Sequence, residues 1–157
     1  MRNPVNYLIL LATLGLMACE QKVDVAAEEA AVKAAVQSET KAAYDNDYER
    51  LAAAWVHEPY VVHATIDSVV KVGWESLSVA FKNNLENNIE LINKEPDKYG
   101  VEVTQSNFDI SLNGNVAFVN HDEHLEGIWA GEETSNDIKV VKYLLKKDGE
   151  WKLVAVF

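Results

Sequence analysis

The chain has 157 residues, 48% of them hydrophobic, and 25 acidic side chains against 14 basic ones give it a net charge of −11. This length predicts a single domain whose core is large enough to fold without disulfides or metals. The excess of negative charge argues against nucleic acid as a partner and against electrostatic binding to anionic lipids, because both need clustered cations.

The N-terminus has the pattern of a secretion signal. Arg2 precedes an apolar run at residues 7–16, and charged residues follow from Glu20 onward. A membrane-spanning helix needs roughly 20 apolar residues, so this run is too short to be an anchor. Residues 1–18 are therefore interpreted as a signal peptide that is removed from the mature chain.

Cys19 is the single cysteine and directly follows this signal. The segment Leu16-Met17-Ala18-Cys19 resembles the bacterial lipobox. The resemblance implies that Cys19 carries lipid, including palmitate, and that residues 19–26 tether the domain to the bacterial cell envelope. The membrane face is left open: the periplasmic side of the inner or outer membrane, or the cell surface. The alternative is an ordinary signal with a chance cysteine.

Helical patterns fill the next stretch of the chain. The first predicted helix covers residues 27–44, with Val32, Val36 and Glu39 recurring on one face. Asp47 has the character of an N-cap for a second, short helix. A third helix is predicted over residues 75–93 from an apolar stripe at helical spacing.

Strands are predicted around and after the third helix. Two short strands at residues 60–66 and 69–72 precede it, and the chain ends in four more. Asn113-Gly114 and Asp148-Gly149 mark tight hairpins, whereas a longer polar loop is expected at residues 126–136. The four later strands are expected at residues 101–112, 115–125, 138–147 and 150–157. Helices followed by an antiparallel meander indicate an α+β fold.

Three segments, in this order, resemble the nuclear-transport-factor-two-like superfamily. They are DNDYERL at residues 45–51, GWESL at 73–77 and GEWKLV at 149–154. The superfamily includes SnoaL-like domains, ketosteroid isomerase and scytalone dehydratase. The resemblance implies a cone-shaped, curved antiparallel sheet wrapped around the N-terminal helices over residues 27–157. It also implies a pocket at the open end of the cone and a homodimer that packs sheet against sheet.

The resemblance places His63 about where ketosteroid isomerase keeps its general base, and Glu39 about where it keeps its oxyanion-donating tyrosine. Such a pair could exchange protons with a substrate. A glutamate cannot donate to an oxyanion unless it is protonated, so the isomerase mechanism is not reproduced. The alternative is that His63 is a packed core or rim histidine and that Glu39 is solvated or pairs with Lys41 or Lys142.

The closing strand predicts an apolar pocket base. Under strict alternation Ala155 and Phe157 share a face with Trp151 and Leu153, which favours holding a hydrophobic ligand over acid–base chemistry. Core packing is the alternative for each aromatic candidate. The residues expected to line the pocket are Trp55, His63, Trp74, Phe81, Phe118, Trp129 and Phe157.

No metal site or cofactor is expected. His121 and His124 lie on opposite faces of a strand, so they cannot both hold one ion, and the chain has no phosphate-binding or dinucleotide motif. Three hypotheses remain for the function. The domain binds a small apolar ligand or a partner protein without catalysis, or it is an isomerase, dehydratase or hydrolase using His63 with Glu39, or it is a structural homodimerisation module.

Overall fold

A computed structural model describes residues 24–65 and 70–157 of the chain. The predicted signal peptide, Cys19 and most of the tether lie outside the described residues and stay predictions. In the part of the chain that the structure describes, no helix combines the length and hydrophobicity needed to cross a membrane.

Three helices form where the periodicity predicts them. Helix α1 spans Val25–Tyr44, α2 spans Tyr48–Ala53 and α3 spans Trp74–Lys94. The carboxylate of Asp24 accepts a hydrogen bond from the Ala27 amide (3.2 Å) and begins α1 two residues earlier than expected. Asp47 does the same for the Arg50 amide (3.1 Å), which confirms it as the N-cap of α2.

Six strands form one mixed sheet in the order β2-β1-β6-β5-β4-β3. Their bounds are β1 Val62–Ala64, β2 Val70–Val72, β3 Tyr99–Asn113, β4 Val116–Trp129, β5 Glu132–Lys147 and β6 Glu150–Val156. Neighbouring strands are antiparallel except β1 and β6, which run parallel with Val62 opposite Ala155. The expected α+β architecture is confirmed. The sheet is mixed, not wholly antiparallel, because β1 and β6 are not joined by a hairpin and so need not run antiparallel.

The predicted polar loop at residues 126–136 is wrong. Strand β4 continues to Trp129 and β5 begins at Glu132, so Ala130 and Gly131 alone make the turn. Both have positive φ angles, 55° and 86°, as a two-residue hairpin of the right twist requires. Alanine rarely adopts such angles. The turn contains Ala-Gly in place of Asn-Gly or Asp-Gly, so the sequence gives no recognisable hairpin signal here.

A β-bulge changes which residues of β6 face inward. Leu144 pairs with Leu153 and Tyr143 pairs with Ala155, which leaves Val154 as the extra residue. The bulge shifts the alternation, so Val156 follows Leu153 on the inner face. The expectation that Ala155 contributes to the pocket base is thereby corrected.

The hydrophobic core lies between the inner face of the sheet and the helices. Strand β4 buries every second side chain from Ala117 to Glu123 on this face. Helix α1 contributes Val32 and Val36, both fully buried, and α2 contributes Leu51. The sheet thus has one covered face, and the space left between this face, α1 and α3 forms the cavity described next.

Candidate ligand-binding cavity

A cavity of about 930 Å³ lies between α1, α3 and the inner face of the sheet. Its walls are mainly apolar. The apolar side chains that border it include Phe81, Leu85, Leu125, Ile138, Val140 and Val156. Its polar members include Glu39 and Tyr44 from α1, His63 from β1, Glu123 from β4 and Lys142 from β5.

Four of the residues predicted from the sequence come together at this cavity: His63, Phe81, Trp129 and Phe157. Trp129 lies at the end of β4, 48% exposed, and packs edge-on against Tyr99 with 5.3 Å between ring centroids. Phe157 is 54% exposed and forms part of the rim. These residues line the cavity; whether they contact a ligand stays a prediction.

The other three predicted residues lie outside the cavity lining. Trp55 is 1% exposed and packs behind it, against His63 and Phe81. Trp74 is the first residue of α3, and its ring stacks on His57 with centroids 3.9 Å apart. Its amide donates to the carbonyl of Glu58 (3.1 Å), which holds it beside the loop before β1.

Phe118 points away from the cavity for a simple reason of alternation. Its neighbours Ala117 and Val119 are fully buried on the inner face of β4, so Phe118 faces outward. There it packs edge-on against Tyr143, its partner on β5, with centroids 5.1 Å apart. The expectation that Phe118 lines the pocket is therefore corrected.

His63 and Glu39 both border the cavity but do not form the acid–base pair. The Glu39 carboxylate accepts from Lys142 Nζ at 2.7 Å and from the Trp55 indole at 3.3 Å. The alternative that Glu39 pairs with Lys142 is confirmed, whereas Lys41 pairs with Asp45 at 2.8 Å. With both of its oxygens occupied in this way, Glu39 is poorly placed to exchange a proton with a ligand.

Charged and polar side chains, not apolar ones, close the inner end of the cavity. Four of them, Glu39, Thr40, Glu123 and Lys142, border the cavity. Together with Gln105 and His121, which hydrogen-bond to Glu123 from behind, we call them the buried ionic cluster. All except Gln105 are buried, with at most 6% of each exposed. Lys142 Nζ lies 2.7 Å from both Glu39 Oε2 and Thr40 Oγ1, and 3.8 Å from Glu123 Oε1. The expectation of a purely apolar pocket base is therefore wrong.

Glu123 uses only one of its carboxylate oxygens within this cluster. Oε1 accepts from Gln105 at 2.8 Å, from His121 Nε2 at 3.0 Å and from Thr40 at 3.2 Å. Burial raises the pKa of Glu123, but the His121 hydrogen bond, the Lys142 charge and the Gln105 hydrogen bond outweigh it and lower the pKa to about 2. Glu123 is thus ionised at neutral pH.

His121 is enclosed behind Glu123. Its ring stacks on Phe108 with centroids 4.9 Å apart and planes 7° from parallel. Nε2 is assigned the proton because it faces the Glu123 carboxylate. Nδ1 is buried and makes no hydrogen bond with a described residue. His121 therefore orients Glu123 from the side away from the cavity.

Two more groups complete the polar end. Burial, followed by the charges of Glu123 and Glu39, raises the pKa of Tyr44 to about 12, so its phenol stays protonated. Burial lowers the pKa of His63; the Glu39 charge opposes this and the Lys142 charge adds to it. His63 is therefore a neutral imidazole at neutral pH. Its ring makes no hydrogen bond within residues 24–65 and 70–157, and is free to bond a ligand.

Most of the ionic cluster was not identified from the sequence as part of the site. Thr40, Gln105, Glu123 and Lys142 meet only because β3, β4 and β5 pair in one register beside α1. Counting described residues only, no three histidine, cysteine, aspartate or glutamate side chains converge in a way that could hold a metal ion. The site is thus an apolar chamber with a charged inner end.

Comparison with known proteins agrees with this architecture. Among solved structures, the chain is similar to a proposed dehydratase of the NTF2-like family from Streptomyces avermitilis, with a TM-score of 0.69 and 13% identity over 84% of this chain and 94% of that one. A proposed scytalone dehydratase from Novosphingobium aromaticivorans has a TM-score of 0.64 and 18% identity over 84% and 83% of the two chains.

A proposed ketosteroid isomerase from Shewanella frigidimarina has a TM-score of 0.61 and 17% identity over 80% of this chain and 92% of that one. At such identities these likenesses establish the fold alone. A search of curated proteins finds no match. The sequence model of the SnoaL-like domain family matches residues 32–156, which is most of the chain. The chain therefore belongs to the SnoaL-like domain family.

Proposed function

We propose that this domain holds a small, largely apolar molecule in its cavity, without converting it, while lipid on Cys19 tethers it to a bacterial membrane. The observation that carries the binding role is the cavity itself. Its volume of about 930 Å³ lies within the roughly 300–1,000 Å³ typical of small-molecule sites. Apolar walls with a few polar groups at one end are also typical of such sites.

The state of Glu39 supports binding over catalysis. Its two oxygens accept hydrogen bonds from Trp55 and Lys142, and the ion pair with Lys142 is buried. A general acid or base has to change its protonation state readily. A carboxylate held in this way contributes to the architecture of the inner end instead.

The binding role is tested by filling the cavity. Ala43 lines the cavity from α1, whereas Ala34 on the same helix is exposed. Residues 20–157 of the wild type and of each variant would be purified without a tag, and extracted small molecules quantified by mass spectrometry. We expect a molecule bound to wild type and to Ala34→Phe and lost from Ala43→Phe, because the new ring occupies the chamber.

Thermal unfolding of both variants would show that each is folded. Equal recovery of the molecule from Ala43→Phe, or none from wild type, would contradict the proposal. The same extract bears on a second candidate, an isomerase, dehydratase or hydrolase reaction, which the neutral ring of His63, without a hydrogen bond to any described residue, favours. In that case wild type would change the captured molecule chemically and His63→Gln would not.

The tether is tested at Cys19. Because this is the only cysteine, incorporation of labelled palmitate reports on one site. We expect the full-length chain, expressed in a bacterium, to incorporate label and sediment with membranes, since more than one acyl chain makes anchoring stable. Cys19→Ser should lose both properties. Wild type that stays soluble and unlabelled would refute the anchor.

The homodimer stays a prediction. The outer face of the sheet carries an aromatic group formed by Phe118, Tyr143 and Phe157, with Tyr143 38% exposed and Phe157 54% exposed. Such a patch supports the proposal of a second copy packing against this face. Phe157 also borders the cavity, so the proposed dimer contact would lie beside the cavity rim.

A further inference from the structure

Building on the proposed binding role, we infer that the molecule held in the cavity is a hydrophobic amine. Its ammonium group lies beside Glu123 at the inner end, and its apolar body packs against the cavity walls. This inference names the ligand's chemical class, which the fold and the family leave open. It follows from the hydrogen bonds of Glu123 and from the distribution of charge around it.

The first argument is the unequal use of the Glu123 carboxylate. Three donors, from Gln105, His121 and Thr40, converge on Oε1. Oε2 makes no hydrogen bond with a described residue, although Glu123 is only 6% exposed and borders the cavity. Oε2 is not a fully buried atom, so it remains accessible, and a charged ligand donor would form the strongest hydrogen bond with it.

The second argument is the balance of charge. Glu39 and Glu123 both border the cavity, and Lys142 lies between them. Lys142 Nζ is 2.7 Å from Glu39 but 3.8 Å from Glu123, so it chiefly compensates Glu39. Lys139 also borders the cavity, but its amine pairs with Asp122 at 2.6 Å and its side chain is 75% exposed. A ligand anion would therefore meet Glu123 as a like charge.

The third argument is the number of free acceptors. Besides Glu123 Oε2, the phenol oxygen of Tyr44 and the neutral ring of His63 border the same cavity. Neither side chain forms a hydrogen bond with a described residue. An ammonium group has three N–H donors and no acceptor. Glu123 Oε2 can only accept, so it complements an ammonium group better than a carboxylate, which has only acceptors, or a hydroxyl, which has one donor; Tyr44 and His63 can each accept from the ammonium but can also donate.

The test compares three probes that share one rigid apolar body: 1-adamantylamine, 1-adamantanol and adamantane-1-carboxylate. Each would be titrated calorimetrically at pH 7 into residues 20–157, which contain every described element of the fold. We expect the amine to bind about tenfold more tightly than the alcohol, because its hydrogen bond to Glu123 is charge-assisted. The carboxylate should bind more weakly than the alcohol.

The outcomes separate this inference from the binding role. If the alcohol binds as tightly as the amine, or the carboxylate binds best, the inference fails while the cavity remains a ligand site. If none of the three probes binds, both the inference and the binding role fail. The affinities of the three probes for the wild-type protein therefore test the inference without any variant.

A matched pair of variants then assigns the preference to Glu123. Glu123→Gln keeps an acceptor for Gln105 and His121 but removes the charge. Glu126→Gln makes the same change on the same strand at a side chain that is 77% exposed. The preference for the amine over the alcohol should disappear in Glu123→Gln and persist in Glu126→Gln. Persistence in both variants would overturn the role of Glu123.

Discussion

Replacing Lys142 with methionine is expected to lower the free energy of unfolding by about 3–5 kcal/mol, the usual effect of removing one partner of a buried ion pair. Lys142 is 3% exposed and its amine lies 2.7 Å from the Glu39 carboxylate. Methionine fills a similar volume but leaves that carboxylate buried without a countercharge. Urea denaturation of wild type and variant, compared at one pH, gives the difference directly.

The control is an ion pair of similar geometry on the surface. Lys41 lies 2.8 Å from Asp45, but its side chain is 67% exposed, so Lys41→Met should change stability by no more than about 1 kcal/mol. Adding Glu39→Gln to Lys142→Met should recover part of the loss, because position 39 then carries no charge, whereas Glu123 still lacks the Lys142 charge. If Lys142→Met costs no more than Lys41→Met, the cluster does not stabilise the fold as described.

Acid is expected to remove a large stabilising contribution through Glu123. Its pKa falls from an ordinary 4.5 to about 2 in the folded chain, against the opposing effect of burial. The folded state therefore binds this proton less readily than the unfolded state. The contribution is complete above about pH 4.5 and disappears as the pH falls toward 2. At about 1.36 kcal/mol per pKa unit it amounts to roughly 3 kcal/mol.

The measurement is the free energy of unfolding of wild type and of Glu123→Gln between pH 6 and pH 3. Other carboxyls with lowered pKa values, such as Glu28 and Asp122, titrate in both proteins and cancel in the difference. We expect the difference to be constant near pH 6 and to shrink below pH 4.5. Glu126→Gln should follow wild type throughout. A difference that does not vary with pH would contradict the assignment.

The helices and the local hairpins could be predicted because their signals are local. Apolar spacing predicts α1 and α3, and Asp47 marks the start of α2. The turn at Asp148-Gly149 has the two positive φ angles, 53° and 86°, that its residue types favour. The turn at Ala130-Gly131 has similar angles without such a signal, which is why the polar loop was predicted there.

The ionic cluster could be predicted only in part because it depends on strand register. Alternation alone places His121 and Glu123 on the same face of β4 as Ala117 and Val119, and Lys142 on the same face of β5 as Val140. That pattern indicates burial, but not which charges meet, because the register of β4 and β5 is fixed by the Ala130-Gly131 turn, which has no Asx-Gly signal. In that register Val119 pairs with Lys142, which brings the two strands' polar residues together beneath α1.

The bulge at Val154 is a further limit of sequence reading. Strict alternation placed Ala155 at the cavity, but one extra residue moves Val156 there instead. Ala155 and Val156 are both apolar, so this wall of the cavity is apolar as expected, although Val156 and not Ala155 forms it. The inner end differs in the opposite way, since Glu39 does border the cavity but its surroundings there are charged.

The parallel pairing of β1 with β6 determines when the cavity can form. Val62 pairs with Ala155, and Val156 forms part of the wall, so the enclosure is incomplete until residues 150–156 have left the ribosome. Contacts between such distant segments also form slowly. A nascent chain therefore has no finished chamber, and its first guest can enter only after residues 150–156 have joined the sheet.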